Sequence, residues 1–202
     1  MNQLLQASFV AIILSIGIAS GLLLSASPAS AEDVDCTTMK DAVATSAQDF
    51  AAFRGTRRDL PPDPELAKLQ GIEGFSYTRD EYATERRLAA ATSCAVIVAR
   101  AEDPESTISE TRFACDWPST GDSGAQFAAI RQALQDCAIS AQVEEDDADS
   151  YTLIVDRVES GEGWAGISVS VDHQSANIDA GVSVSVIHVV CQAKMPGGCD
   201  DA

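Results

Sequence analysis

Ile167-Ser168-Val169-Ser170-Val171 and Val182-Ser183-Val184-Ser185-Val186 decide the architecture. Each alternates a β-branched apolar residue with serine. A strand turns successive side chains to opposite sides, so each stretch has one apolar and one polar face. Strands covered on both sides read instead as continuous apolar runs. The alternation predicts an antiparallel sheet with its core on one side, with strands at about 151–158, 164–172 and 181–191.

Working towards the N-terminus, Leu88, Ala90, Thr92, Cys94, Val96 and Val98 share one face, and Thr107, Ser109, Thr111, Phe113, Cys115 and Trp117 share another. Asp103-Pro104-Glu105-Ser106 between them reads as a turn, which makes a hairpin of 88–100 and 107–117. Helical spacing appears twice. Met39, Val43, Ala47, Phe50 and Phe53 predict a helix over 38–54, started by Thr38 with Asp41 and stopped by Gly55. Phe127, Ile130, Leu134 and Cys137 predict a second over 124–139, behind a Ser123–Gln126 capping box. A short helix over 64–70 fits between Pro61-Pro62-Asp63-Pro64 and Gly71. The expected fold is α+β: an antiparallel sheet of about five strands with two helices on one face.

The order helix-strand-strand, helix-strand-strand-strand suggests an αββ-αβββ internal duplication. Phe50-Ala51-Ala52-Phe53-Arg54 echoes Phe127-Ala128-Ala129-Ile130-Arg131, and Ile97-Val98-Ala99-Arg100 echoes Ile154-Val155-Asp156-Arg157. The two echoes have different offsets, and amphipathic elements also look alike by chance.

Residues 1–31 contain no Lys, Arg, Asp or Glu, and Ala29-Ser30-Ala31 reads as a cleavage site. The expectation is a signal peptide over 1–31, removed to leave a single domain over 32–202. The apolar run, roughly Phe9 to Leu24, is shorter than the ~20 residues that span a bilayer, so no stable membrane insertion is expected after cleavage. The six cysteines, Cys36, Cys94, Cys115, Cys137, Cys191 and Cys199, follow this leader. Thiols so placed imply disulfides in a periplasmic or secreted protein. Six thiols allow fifteen connectivities. Cys94 and Cys115 are symmetric about the hairpin turn, and Cys191 and Cys199 flank Pro196-Gly197-Gly198. That leaves Cys36 for Cys137. With no C-x-x-C and dispersed thiols, neither a metal site nor a redox pair is expected.

The formal charge is −18, a field that repels nucleic acid and anionic membranes. Against it, residues 54–87 balance seven cations with seven acids. Arg outnumbers Lys ten to three, which with abundant alanine points to a GC-rich bacterial genome. Gly121-Asp122-Ser123-Gly124 resembles the nucleophile signature of chymotrypsin-like proteases. Those enzymes need a histidine upstream of the serine, and none precedes His173; helix capping accounts for Asp122 and Ser123. His173 reads as part of a polar surface turn and His188 as a half-buried strand residue. The acidic run 144–149 lacks Ca²⁺-loop spacing and reads as a solvated loop. No cofactor, metal ligand or catalytic residue is assigned.

Residues 56–87 remain as a long connecting segment, and loops of this length in compact domains are usually functional or disordered. It carries Phe75, Tyr77 and Tyr82 with Arg79, Arg86 and Arg87, residue types that dominate interfaces. These six are the candidate partner-binding residues; the alternative is that the segment covers the sheet edge. The functional expectation is an exported, non-catalytic binding protein of the bacterial envelope, its partner a protein or small molecule. A carboxylate-dependent hydrolase and a structural envelope component are the alternatives.

Overall fold

The fold is described from a computed structural model, over residues 34–60, 72–118, 122–160, 163–173 and 181–199. The expected leader, the cleavage site, the 64–70 helix and Gly121 lie outside the described residues. Helix α1 (Cys36–Thr45) is followed by β1 (Arg57–Arg58), β2 (Ser76–Ala83), β3 (Ser93–Glu102) and β4 (Ser106–Trp117). Helix α2 (Ser123–Asp136) then leads into β5 (Gln142–Asp146), β6 (Ser150–Ser160), β7 (Gly163–His173) and β8 (Val182–Ala193). The strands form one antiparallel sheet in the order β1-β2-β3-β4-β8-β7-β6-β5. Each helix thus precedes a four-stranded meander, and the meanders join through their last strands.

Among the described residues the sheet has eight strands, not about five. The additional ones, β1, β2 and β5, carry no apolar alternation. β2 reads Ser-Tyr-Thr-Arg-Asp-Glu-Tyr-Ala, and every residue of β5 is exposed. Backbone pairing holds them, helped at one edge by Arg57–Asp80 and Arg58–Glu81 ion pairs. Charged, short edge strands also discourage pairing with other chains. The segment read as a long connection therefore contains β1 and β2, and part of the acidic run is β5. Asp147 closes the following turn, its carboxylate accepting from Asp149 N (2.8 Å) and Ser150 N (2.7 Å). The sequence echoes do not fall on equivalent positions: Phe50 lies beyond α1 whereas Phe127 is inside α2, and Ile97 and Ile154 sit in β3 and β6.

Helix α1 ends nine residues before the spacing suggested. Asp49 and Phe50 adopt left-handed backbone (φ 55° and 53°) between two 3₁₀ turns, Ser46–Gln48 and Ala51–Phe53. The bend folds Phe50 and Phe53 onto Phe113, with ring centroids at 6.3 and 4.9 Å. The caps also shift by one place or more. Asp35, not Thr38, caps α1: its carboxylate accepts from Thr37 N (2.9 Å) and from the Thr38 hydroxyl (2.7 Å). Asp122, not Ser123, caps α2 by accepting from Ala125 N.

Both helices pack on one face. Met39, Phe50, Phe53, Phe127, Ile130 and Leu134 meet Val96, Phe113, Val169, Val171, Val184 and Val186 in a single core. The cross-strand row Tyr82–Val96–Phe113–Val186–Val169–Leu153 runs through that face. Disulfides join Cys36–Cys137, Cys94–Cys115 and Cys191–Cys199, and no described cysteine is free. The first ties the start of α1 to the end of α2. Three such bonds fit a chain that folds in an oxidising compartment. No described helix is long and apolar enough to cross a membrane.

Candidate functional site

The second face of the sheet is not the polar surface that the serines suggested. Ser168, Ser170, Ser183 and Ser185 do lie there, but registered pairing brings larger groups beside them. One row across the sheet reads Tyr77–Ala101–Ile108–Cys191–Trp164–Glu159. The next reads Arg79–Ala99–Glu110–Val189–Gly166–Arg157, and the third Glu81–Ile97–Arg112–Ile187–Ser168. Ile97, Ala99, Ala101, Ile108, Trp164, Ile187 and Val189 form an apolar platform from β3 to β7, half-buried against one another. At about 4.8 Å between strands, the five strands from Tyr77 to Trp164 span about 19 Å. No described helix packs on this face; the core cluster draws only on the other.

Charge on the platform is balanced locally. Arg112 pairs with Glu110 (3.0 Å), Arg79 with Glu81 (3.8 Å) and Arg157 with Glu159 (3.7 Å). Each pair is two residues apart on one strand, hence on one face. The acidity of the chain therefore does not extend into this surface.

A groove of about 770 Å³ opens at the Trp164 end, walled by Arg157, Glu159, Trp164, Lys194, Met195 and Pro196. The Cys191–Cys199 bond pulls the C-terminal loop against it. Trp164 lies along the sheet rather than standing up from it. An added Cβ at Gly166 would meet its ring at 3.3 Å, and the Arg157 guanidinium sits 4.8 Å above the ring centroid. Trp164 Nε1 is buried and has no hydrogen-bond partner among the described residues.

The six residues singled out from sequence do not share one surface. Tyr77 and Arg79 lie on the platform. Tyr82 points to the helix side, where it packs on the core with the Arg54 guanidinium 5.2 Å from its ring centroid. Arg86 lies over Phe53 at 5.6 Å, beside a cleft of about 510 Å³ walled by Arg54, Ala83 and Glu85. Arg87 is exposed and Phe75 half-buried, just ahead of β2. Ile108, Trp164, Ile187 and Val189 carried no signal of their own in sequence. Their rows depend on β4 pairing with β8, strands separated by a helix and three other strands.

Of the two histidines, one matches expectation and one does not. His188 is half-buried as anticipated, on the core side, 3.9 Å from Asp49. Thr111, opposite it, donates its hydroxyl to that carboxylate at 3.1 Å. His173 is not in a surface turn. It ends β7 with only 11% of its side chain exposed, between Asp149 and Ser123. Among the described residues no group of three or more His, Cys, Asp or Glu side chains is arranged to hold a metal ion.

Comparison with protein-family models, with curated proteins and with solved structures finds no match to this chain.

Proposed function

We propose that this chain is an exported binding protein of the bacterial envelope, periplasmic or secreted, and that the platform from Tyr77 to Trp164 is its contact surface. The observation that carries the reading is an apolar, locally charge-balanced sheet face that no described helix covers. A contiguous apolar face left half-buried, with no described helix over it, is the kind of surface that interactions cover. Its chemistry favours an apolar polypeptide segment. The rings of Tyr77 and Trp164 bracket the platform, and aromatics with Arg supply most hot spots. The Trp164 indole N–H, buried and without a partner among the described residues, is a donor that a main-chain carbonyl could satisfy once the ring shifts towards the groove.

Titration with a panel of apolar peptides, followed by indole fluorescence and calorimetry, tests this. The expected result is saturable binding that weakens by on the order of 2 kcal/mol in Trp164→Ala and in Ile108→Glu. Arg87→Ala, away from the platform, should bind as the parent does. Equal affinity for all four proteins, each folded and fully disulfide-bonded, would reject the platform as the contact surface.

A further inference from the structure

Ser123, His173 and Asp149 come together on the helix side of the sheet, away from the platform. His173 Nδ1 lies 2.9 Å from Asp149 Oδ1, and His173 Nε2 lies 2.7 Å from Ser123 Oγ. A carboxylate can only accept, so Nδ1 carries the proton and Nε2 offers its lone pair to the serine hydroxyl. That tautomer and that order of contacts are those of a nucleophile, a base and an orienting acid. We infer that Ser123–His173–Asp149 is a nucleophilic relay for acyl transfer, a role set aside for Ser123 in sequence because no histidine precedes it.

The surroundings hold each member in place. Asp149 sits in the turn that Asp147 closes, and its own carbonyl accepts from His173 N at 2.8 Å. Main chain and side chain thus fix the same pair twice. The His173 ring lies 6.1 Å from the ring of Phe127, which is buried one turn into α2. Ser123 is the first residue of α2, but Asp122 is the cap, so the Ser123 hydroxyl is not used to end the helix. Gly124 beside it is exposed, and among the described residues an added Cβ there would meet nothing nearer than Asp122 Oδ1 at 3.7 Å. Among the described residues that side is open to a carbonyl approaching Ser123 Oγ, with its oxygen near the Ser123 and Gly124 amides, since Asp122 engages those of Ala125 and Gln126. Amides at a helix start favour developing negative charge.

The step balances with water as the only co-reactant. Ser123 Oγ bonds to the carbonyl carbon of an ester as its proton moves to His173 Nε2. The leaving alkoxide takes that proton as the acyl–oxygen bond breaks. Water then attacks the acyl-serine, giving its proton to Nε2, and the departing Oγ recovers it; the products are an acid and an alcohol. Asp122 beside Ser123 and Asp147 beside Asp149 make the surroundings acidic, so the substrate class is a neutral or cationic ester rather than an anionic one.

The full disulfide-bonded chain is incubated with a neutral fluorophosphonate probe, and adducts are located by intact mass and peptide mapping. The expected result is one adduct, on Ser123, absent in Ser123→Ala. Its rate should fall at least about 100-fold in His173→Gln and at least about 10-fold in Asp149→Asn. A neutral activated ester should turn over faster than its carboxylated analogue. Thermal melts of each variant separate loss of fold from loss of chemistry. Folded parent protein that stays unlabelled at saturating probe, or labels elsewhere than Ser123, overturns the inference. The contact then only pins α2 to β7.

Discussion

Removing the Cys36–Cys137 bond should destabilise the protein more than removing either of the others. The three bonds close loops of very different size, with sequence separations of 101, 21 and 8. Restricting the unfolded chain across those loops is worth about 4.7, 3.3 and 2.5 kcal/mol respectively. The assay is equilibrium urea unfolding of paired Cys→Ala variants. With a slope of about 2 kcal/mol per molar urea, the midpoint should fall by about 2.3 M for Cys36–Cys137 and by about 1.2 M for Cys191–Cys199. The distinction matters for function, because Cys199 lines the groove beside Trp164 while Cys36 and Cys137 lie at the helix ends. The Cys191–Cys199 variant should therefore lose peptide affinity out of proportion to its stability, and the Cys36–Cys137 variant the reverse. A larger midpoint shift for the short loop, at unchanged slope, would refute the reasoning that the long bond acts by restraining the unfolded chain.

Asp35→Ala should cost about 1 kcal/mol through loss of the α1 cap, read from denaturant midpoints at neutral pH. The Thr38 hydroxyl, with the Thr37 and Thr38 amides, holds the Asp35 carboxyl below its ordinary value despite some desolvation. A depressed folded-state value means that the contribution is full above the ordinary carboxylate range and is lost as pH falls through the lower folded value. The gap between parent and variant should accordingly close in acid and stay constant from pH 6 to 8; a gap that widens in acid would contradict this. Tyr82→Ala should lower the melting temperature, because that ring packs on the core beneath Arg54, whereas Tyr77→Ala should mainly weaken peptide binding. Equal effects of the two changes on stability would place both rings in one environment, against their opposite faces.

Patterns carried within a single stretch of chain were legible without coordinates. Valine–serine alternation in 167–171 and 182–186 gave the one-sided antiparallel sheet, since side-chain direction along a strand depends only on its two-residue period. The symmetric placement of Cys94 and Cys115 about the 103–106 turn predicted their pairing, because a short turn sets hairpin register locally. Tertiary structure decided the rest. β2 and β5 form by pairing backbone to backbone, and polar edge strands leave no periodic trace. The halt of α1 at Thr45 reflects the approach of Phe50 and Phe53 to Phe113, a contact with a residue sixty positions away. The platform exists only because β4 lies beside β8, which sets Ile108 against Cys191 and Trp164. Ser123 meets His173 across fifty residues because α2 crosses the end of β7; Gly121-Asp122-Ser123-Gly124 resembled a nucleophile signature, but nothing along the chain set His173 or Asp149 beside it. Local geometry is written in spacing along the chain; proximity between distant segments is set by how the core closes.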